Sequence, residues 1–190
     1  MITLAPKTLT REEVERLIDA SKSCPRDNLI IRIALGTSLR VAEIAALDVG
    51  QVYRDGKVIS RTQVLVKGGR TEDVMLPTKL QRAIGDFIAW KLEHREPISP
   101  GAPLFLSKRK VRLSVRRIQS MFQELQDRAG FARSVNFHML RHTAGTNYLE
   151  LNNDLLGAQR FMRHRRVETT MIYMHPSDER MRQQLESLPC

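Results

Sequence analysis

One segment of this chain interrupts a pattern that is otherwise helical. Residues 57–77 read KVISRTQVLVKGGRTEDVMLP, with many β-branched side chains and with Gly68 and Gly69 near the middle. β-Branched runs on either side of a glycine pair are typical of two strands joined by a tight turn, because glycine adopts the turn conformation at little cost. We therefore predict an antiparallel hairpin with a Lys-Gly-Gly-Arg turn at residues 67–70.

Helical signals precede this hairpin. Thr10 and Glu13 form a capping box, in which each side chain can accept a hydrogen bond from a free amide of the first helical turn. The helix that they begin is stopped at Cys24-Pro25. A second, mostly buried helix is expected over residues 27–37, followed by a short amphipathic turn that ends at Leu47.

Helical signals also follow the hairpin. Thr78 and Ser114 each open a helix with one apolar stripe, formed by Leu80, Ile84, Phe87, Ile88 and Leu92 in the first and by Val115, Ile118, Phe122 and Leu125 in the second. The only stretch rich in Pro and Gly, residues 96–103, is short enough to be a surface loop. The predicted fold class is mainly α with a small antiparallel β-sheet, an α+β domain.

The net charge of the chain indicates which class of partner it binds. Lys and Arg number 31 against 21 Asp and Glu, a formal net charge of +10, which favours a polyanion such as nucleic acid or an anionic membrane surface. A membrane is the weaker alternative, because the most apolar run, Leu29–Leu35, is too short to span a bilayer and contains Arg32. We expect nucleic acid as the partner and no membrane.

The cysteines and the N-terminus bear on the compartment. Cys24 and Cys190 share no motif with each other or with histidine, so neither a disulfide framework nor a zinc site is indicated. The first residues have no basic region followed by an apolar run, so no secretory signal is visible. We expect a protein of the cytoplasm.

Two groups of basic side chains stand out. Residues 107–117, SKRKVRLSVRR, have six cations in eleven positions, and a second group surrounds His164. A solvated helix face is the ordinary explanation of such runs. Few acidic residues are interleaved, however, so rows of cations that neutralise phosphates are the better interpretation. The predicted DNA contacts are Lys108, Arg109, Lys110, Arg112, Arg116, Arg117, Arg163, Arg165 and Arg166.

A single tyrosine near the C-terminus raises the question of chemistry. Tyr173 lies nine residues after His164, within FMRHRRVETTMIYMHP. It is either a core residue whose hydroxyl reaches the surface or a nucleophile whose phenol oxygen attacks a phosphodiester. An unperturbed phenol is a poor nucleophile at neutral pH, with a handicap of about 4 kcal/mol. Nearby bases or cations have to offset that handicap.

Further motifs decide between these alternatives. They are TSLRVAEI around Arg40, VKGGRTEDVMLP around Lys67, HMLRHTAGTNYL with His138 and Arg141 at positions i and i+3, and MRHRRVETTMIYMH with His164 and Tyr173. Their order resembles that of the catalytic domain of tyrosine recombinases, the family of phage-type integrases and bacterial DNA invertases. The resemblance extends from about Thr8 to Pro176 and implies the tyrosine recombinase catalytic-domain fold. It also implies double-stranded DNA as the partner and a location on the DNA of the nucleoid.

The resemblance implies a role for each motif residue. Tyr173 is the expected nucleophile, while Arg40 and Arg141 direct fixed positive charge and paired donors at the phosphate oxygens. His138 and His164 are expected to donate further hydrogen bonds, and His138 to take the proton of the nucleophile.

The remaining roles are those of the leaving group and of support. Lys67 is expected to protonate the departing 5′-oxygen; the alternatives are that it is an ordinary exposed turn residue or that Lys57 substitutes for it. Glu43, three residues after Arg40, is expected to support the site without reacting. His142 and His175 flank site residues and are expected to contact DNA or to shape the site, not to act as catalysts.

The chain departs from the family pattern in two places. Met162-Arg163 stands where relatives commonly have Leu-Gly, which puts the placement of His164 in question. Fewer than ten residues precede the first helix, so the expected organisation is a single catalytic domain, residues 1–190, without an N-terminal core-binding domain. The chain then resembles the single-domain fimbrial-switch invertases. DNA affinity should depend on the basic clusters, on neighbouring protomers or on an accessory DNA-bending protein.

The C-terminal segment is expected to form a tail helix over about residues 177–188. Met181, Leu185 and Leu188 make a narrow apolar stripe. In the family this segment commonly packs on an adjacent protomer, which links the active sites of a tetramer; packing on its own domain is equally open. We expect a tetramer on paired DNA sites and a monomer when the protein is free.

Three functions remain as hypotheses. The first is a site-specific recombinase that cleaves and rejoins DNA through a 3′-phosphotyrosyl bond without metal, ATP or other cofactor. No P-loop motif and no dense carboxylate cluster occur in the sequence. The second is a DNA-binding regulator that keeps the fold without useful catalysis. The third is an enzyme like the type IB topoisomerases, which relaxes DNA by the same chemistry.

Overall fold

The computed structural model describes residues 8–66, 69–173 and 186. Along these ranges the chain forms α1 (Arg11–Ser21), α2 (Pro25–Thr37), α3 (Val41–Ala46), a 3₁₀ turn (Val49–Gln51), β1 (Tyr53–Arg54), β2 (Lys57–Val58), β3 (Arg61–Val66), β4 (Arg70–Met75), α4 (Thr78–Glu93), α5 (Val115–Arg128), α6 (His138–Asn152), α7 (Leu155–Met162) and α8 (Glu168–Met171). The predicted fold class, mainly helical with a small antiparallel sheet, is confirmed.

The predicted hairpin is the larger of two antiparallel pairs. β3 pairs with β4 in a register that runs from Arg61 opposite Met75 to Val66 opposite Arg70. Alternate side chains of β3 are buried, so one face of the hairpin covers the helices while the other stays exposed. The turn residues Lys67 and Gly68 lie outside the described residues.

The first predicted strand is shorter than expected. The sequence pattern placed Lys57 and Val58 in the same strand as Val64, but these two residues pair with Tyr53 and Arg54 in a separate two-residue ladder. The chain changes partners after Val58: the amide of Ile59 donates to the carbonyl of Val52, and the carbonyl of Ser60 accepts from Leu76. Backbone pairing with two different neighbours therefore divides one β-branched run into two strands.

The helix signals are confirmed with two adjustments. The capping box at Thr10 and Glu13 is present, with both reciprocal hydrogen bonds. The second helix begins at Pro25 and not at Asp27, because a proline at the first helical position lacks only an amide that would have no partner there. The adjustment in α4 concerns Leu92, which is 52% exposed, while its neighbour Lys91 is fully buried.

The burial of Lys91 has a clear cause in the loop after α4. Its ammonium group donates to a carboxylate oxygen of Glu96 at 3.0 Å and to the carbonyl of Leu104 at 3.2 Å. Glu96 also accepts from Lys110 at 3.0 Å. A buried charge requires such partners. The chain beyond α4 supplies these partners, so at the end of the helix Lys91 is buried and Leu92 is exposed.

The core centres on α2 and positions the ends of several helices together. α2 packs against α1, α4 and α6, and Ile30, Ile31 and Ile33 are buried completely or almost so. A smaller apolar cluster between α6 and α7 includes Met162 and Tyr173. The end of α2, the start of α6 and the end of α7 lie close together. The motif residues on or next to these helix ends therefore meet in one region. No helix in the described part of the chain is long and apolar enough to cross a membrane.

Candidate active site

The loop between α2 and α3 places the first arginine. α2 ends at Ser38, which adopts a left-handed conformation with φ 54°, and Arg40 caps the start of α3. The Glu43 carboxylate accepts from the Arg40 amide at 2.8 Å and from its guanidinium at 2.9 Å. The Arg40 side chain is 39% exposed, whereas that of Glu43 is 5% exposed. A buried carboxylate thus holds the exposed Arg40 guanidinium in place.

Arg141, the second arginine, is buried in the first turn of α6. It is 3% exposed and donates to the backbone carbonyls of Ser38 and Met162. These bonds join the ends of α2 and α7 and use two of the five N–H donors of a guanidinium. Burial lowers the pKa of Arg141 to about 10, and the positive charges of Arg40 and Arg163 act in the same direction. Arg141 stays charged at neutral pH and keeps donors for an anion.

Tyr173 lies inside the same site. Its side chain is 4% exposed, and its hydroxyl is hydrogen-bonded to Nδ1 of His142 on α6. The two rings are 5.6 Å apart between centroids. Burial raises the pKa of the phenol above its ordinary value of 10.0, and the charge of Arg141 opposes this shift. The expected nucleophile is therefore held in a defined position and is neutral.

His142 is the residue that sequence reasoning left without a catalytic role. The proton acceptor expected from the family resemblance, His138, has no hydrogen bond to Tyr173 among the described contacts; its ring packs edge-on against His142 at 4.6 Å. The spacing of four residues between His138 and His142 places both on one face of α6, and this signal was available in the sequence. The structure thus puts His142, shielded by His138, next to the phenol.

His164 completes the set of imidazoles. It follows α7 directly, its Nδ1 is 2.9 Å from the hydroxyl of Thr170, and its ring stacks on Tyr173 with centroids 6.1 Å apart. Burial lowers the pKa of His164 to about 4, assisted by the charges of Arg141 and Arg40. His142 has a pKa of about 4 as well, first because of burial and then because of His138 and Arg141. Both rings are neutral at physiological pH.

The pKa values show that the nucleophile is not activated in the free protein. The phenol has a pKa above 10 and the nearest base, His142, has one of about 4. Transfer of the proton from Tyr173 to His142 is therefore strongly uphill. The pKa of His138 is also lowered, by burial and then by Arg141 and Arg40. Burial, and after it the positive charge of the site, keeps these bases weak.

An open groove of about 560 Å³ lies beside these residues. It is bordered by Arg40 and His164, and also by Arg163, Arg165, Arg166, Arg70, Glu72, Val66 and Thr169. Five of these side chains are guanidinium groups and one is a carboxylate. A groove with this excess of positive charge suits a nucleic-acid backbone. The exposed Arg165 and Arg166 lie where the sequence predicted DNA contacts.

The other predicted DNA contacts fall into two groups. Lys108, Arg109 and Arg116 are exposed and have no ion-pair partner among the described residues. Arg117 instead pairs with Glu124, Lys110 with Glu96, and Arg112 with Asp48. Arg112 also donates to three carbonyls at the end of α3. Acidic partners therefore exist for part of the basic cluster, which the sequence run did not show.

Arg163 differs most from its expected position. The sequence placed it with the surface contacts to DNA, but its side chain is 5% exposed. Its guanidinium donates to the carbonyls of Thr37, Ser38 and Phe161 and lies 3.7 Å from the carboxylate of Glu43. Arg163 itself adopts the left-handed conformation at this turn, although it is not a glycine. The next residue, His164, stacks on Tyr173.

Three expectations fall on parts of the chain outside the description. They concern the expected general acid Lys67, His175, and the tail helix over 177–188 apart from Glu186. They stay predictions. Within the described ranges no group of three or more His, Cys, Asp or Glu side chains is arranged to hold a metal ion.

Comparison with known proteins identifies the family of this chain. A sequence profile of the phage integrase family matches residues 7–180. This chain belongs to the phage integrase family. The tyrosine recombinase XerC of Vibrio vulnificus (strain YJ016) is 30% identical over 174 residues, which make up 90% of this chain and 53% of the relative. XerC of Shewanella amazonensis (strain ATCC BAA-1098 / SB2B) is 33% identical over 171 residues, 88% of this chain and 56% of the relative.

Solved structures of integrase-family proteins have the same fold. The crystal structure of XerA recombinase superimposes with a TM-score of 0.79 and 29% identity, covering 96% of this chain and 65% of XerA. The catalytic domain of bacteriophage HP1 integrase gives a TM-score of 0.66 at 21% identity, over 98% of this chain and 96% of that domain. The resemblance inferred from the motifs is confirmed, and the chain spans about half the length of its curated XerC relatives.

Proposed function

We propose that this integrase-family chain is a site-specific DNA recombinase that breaks and rejoins DNA through a covalent bond between Tyr173 and a 3′-phosphate. The observation that carries this proposal is the buried contact between the Tyr173 hydroxyl and His142, in the same site as Arg141. A tyrosine with only a packing role needs no cluster of arginines and neutral histidines around its hydroxyl. A nucleophile aimed at a phosphodiester needs both.

The proposed step is an exchange of ester bonds. The phenol oxygen of Tyr173 forms a bond to phosphorus while the bond from phosphorus to the 5′-oxygen breaks. The phenol proton passes to a base, for which His142 is the nearest group. A proton from Lys67, by resemblance to the family, neutralises the departing 5′-oxygen. The reverse attack by a 5′-hydroxyl of another strand restores the phosphodiester and the free tyrosine.

The cations act where charge develops. Negative charge on the non-bridging phosphate oxygens increases as the fifth bond to phosphorus forms. Arg40 is partly exposed toward the groove, and Arg141 keeps three N–H donors that its bonds to Ser38 and Met162 do not use. Both guanidiniums are anchored before DNA arrives, so little reorganisation is required when the charge appears.

The reaction proposed here uses neither a metal ion nor ATP. Fixed guanidiniums can supply the positive charge that a metal ion supplies in other phosphoryl-transfer sites. The ester between tyrosine and phosphate retains the free energy of the broken linkage, so rejoining needs no other source. Double-stranded DNA is the proposed substrate, and the structural neighbour XerH is described as bound to its difH substrate. Recombination further implies a tetramer of this chain on paired sites.

Capture of the covalent intermediate tests the proposal. The full chain is incubated with a pool of nicked duplexes whose central base pairs are randomised, so that a cleaved strand end is lost and the adduct accumulates. We expect a protein–DNA adduct stable to denaturation that Tyr173→Phe abolishes. Tyr148→Phe is the matched control, because Tyr148 stacks on Phe161 outside the site and should leave the adduct unchanged.

The outcomes separate the three hypotheses. Adduct formation together with exchange of strands between two duplexes supports a recombinase. Adduct without exchange, with relaxation of supercoiled plasmid, would indicate activity like that of type IB topoisomerases. If no duplex in the pool gives an adduct although the protein binds DNA, the regulator is the better description.

A further inference from the structure

Arg163 ends α7 in a conformation that favours glycine. Its backbone angles, φ 54° and ψ 45°, lie in the left-handed region that most side chains avoid. The turn has a definite consequence, because the next amide, that of His164, closes the end of the helix by donating to the carbonyl of Gln159. An arginine at this position requires side-chain contacts that compensate for its backbone.

Those contacts reach back to the link between α2 and α3. One terminal nitrogen of Arg163 donates to the carbonyls of Thr37 and Phe161, each at 3.1 Å, and the other donates to the carbonyl of Ser38 at 2.8 Å. The side chain is almost fully buried, and in the described structure its Nε has no hydrogen-bond partner. The residue borders the groove, but both terminal nitrogens of its guanidinium donate to carbonyls within the protein.

Two of its acceptors are shared with the catalytic arginines. The carbonyl of Ser38 accepts from Arg141 as well as from Arg163. The carboxylate of Glu43 lies 2.9 Å from the guanidinium of Arg40 and 3.7 Å from that of Arg163. Arg163 is thus the group that touches the acceptors of both. Its own backbone leads to His164, so one residue connects three parts of the site.

The arrangement also sets the balance of charge. Three guanidiniums, those of Arg40, Arg141 and Arg163, surround the single carboxylate of Glu43, with Glu72 acting on Arg163 from a greater distance. Because Glu43 is divided between two cations, neither is fully neutralised. Burial and mutual repulsion of like charges would separate these side chains if the carbonyls of Ser38 and Met162 did not fix them.

We propose that Arg163 is a positioning residue for the cleavage reaction: it fixes Arg40, Arg141 and His164 relative to one another and makes no contact with DNA. This inference rests on the proposed function where it concerns cleavage. It differs from the surface role that the sequence pattern indicated, and it assigns a use to an arginine in a turn that glycine would form more easily.

The test replaces Arg163 in the full chain by glycine and by lysine. Glycine removes the guanidinium and suits the left-handed backbone, so the fold should be kept. We expect single-turnover cleavage of the nicked duplex, at saturating DNA and well below the unfolding temperature, to fall roughly ten- to hundredfold, as for small displacements of catalytic groups. DNA affinity should stay within a factor of about two, since no phosphate contact is lost. Arg163→Lys should not restore cleavage, because an ammonium cannot reach the divided acceptors.

Chemical rescue distinguishes positioning from general loss of structure. Arg163→Gly leaves a space lined by the carbonyls and Glu43, and free guanidinium at a concentration below that which unfolds the protein should restore part of the cleavage rate. Methylammonium at equal ionic strength is the control. Arg165→Ala, which removes an exposed arginine of the groove, should instead weaken DNA binding. If Arg163→Gly cleaves as fast as the parent, or weakens binding as Arg165→Ala does, the positioning role is refuted.

A measurement without DNA keeps the inference separate from the proposed function. In a double-mutant cycle of Arg163→Gly with Glu43→Gln, followed by thermal unfolding, the two changes together should lower the Tm by less than their sum, because they break the same contact. Additive effects would show that Arg163 and Glu43 are not coupled and would overturn the inference. If the parent protein forms no adduct with DNA but the cycle shows coupling, the recombinase proposal is wrong. The inferred coupling between Arg163 and Glu43 is then still supported.

Discussion

Acidification should destabilise this fold through the histidines of its active site. His142 and His164 have pKa values of about 4 in the folded protein, first because they are buried and then because cationic neighbours repel a proton. In the unfolded chain an imidazole has an ordinary pKa of about 6.5. Between these two values the unfolded state binds more protons than the folded one, so stability is complete above pH 6.5 and is lost as the pH falls toward 4.

The magnitude follows from the size of the shift. A pKa lowered from 6.5 to about 4 corresponds to about 3 kcal/mol for each histidine once the full window has been crossed. Both rings are only half-buried, and solvent screening reduces that figure by about half. At pH 5, where part of the window has been crossed, we expect the two histidines together to lower the free energy of unfolding by about 2 kcal/mol relative to pH 7.

Carboxylates act in a different range. The hydrogen bond from Arg133 holds the pKa of Glu13 below its ordinary value of 4.5, and the hydrogen bond from Arg117 does the same for Glu124. Their contributions are present above pH 4.5 and are lost only below it. The loss of stability between pH 6.5 and 5 can therefore be assigned to the histidines.

Urea unfolding at pH 7, 6 and 5, followed by circular dichroism, measures this dependence. The double variant His142→Gln, His164→Gln should have a clearly flatter profile than the parent, because glutamine does not titrate. His94→Gln is the matched control: His94 is exposed at the end of α4, and its removal should leave the profile unchanged. A parent whose stability is the same at pH 7 and pH 5, or a control that flattens the profile equally, refutes the reasoning.

Two further predictions concern arginines with different partners. Arg141→Lys keeps the charge but leaves the buried carbonyl of Met162 without its donor, or removes one of the two donors to the carbonyl of Ser38, so stability should fall by about 1–3 kcal/mol. Cleavage should fall by orders of magnitude with little change in DNA affinity. Cleavage at the parental rate would contradict the role given to Arg141. Arg116→Ala should lower DNA affinity and reduce the slope of log affinity against log salt by about one. Arg112→Ala should instead lower the Tm, because Arg112 donates to carbonyls at the end of α3 and to Asp48. Equal effects of the two changes on the salt dependence would show that both residues contact DNA.

Local rules explain what the sequence could predict. The capping box of Thr10 and Glu13, the hairpin and the spacing of His138 and Arg141 depend on residues a few positions apart. The motif order, which reflects the family, named the other candidate site residues. The contact between His142 and Tyr173 was not predicted, because no local rule joins two side chains 31 positions apart. Their contact exists only because the end of α7 and the start of α6 meet at the end of α2.

Long-range pairing explains what the sequence did not show. The basic run around Arg112 seemed to lack acidic partners, yet Arg112 pairs with Asp48, 64 positions away, and Lys110 with Glu96, 14 positions away. Leu92 was expected on the apolar side of α4, but the loop that returns with Glu96 buries Lys91 instead. In each case the sequence shows that the side chain is charged, but only the fold shows which residue of opposite charge pairs with it.

In the proposed reaction, the charges that the fold brings together would connect DNA binding to catalysis. The free site has three guanidiniums around one carboxylate, and the pKa of His142 and of His164 is lowered first by burial and then by positive neighbours that include Arg141. A phosphodiester in the groove would supply the missing negative charge, so it would raise the pKa of both histidines and reduce the barrier to accepting the phenol proton. The phenol is therefore expected to stay protonated until the backbone of a DNA strand lies against Arg40 and Arg141. In the proposed reaction Tyr173 would therefore depend on its substrate for a competent base, and this would link its chemistry to the assembled DNA complex.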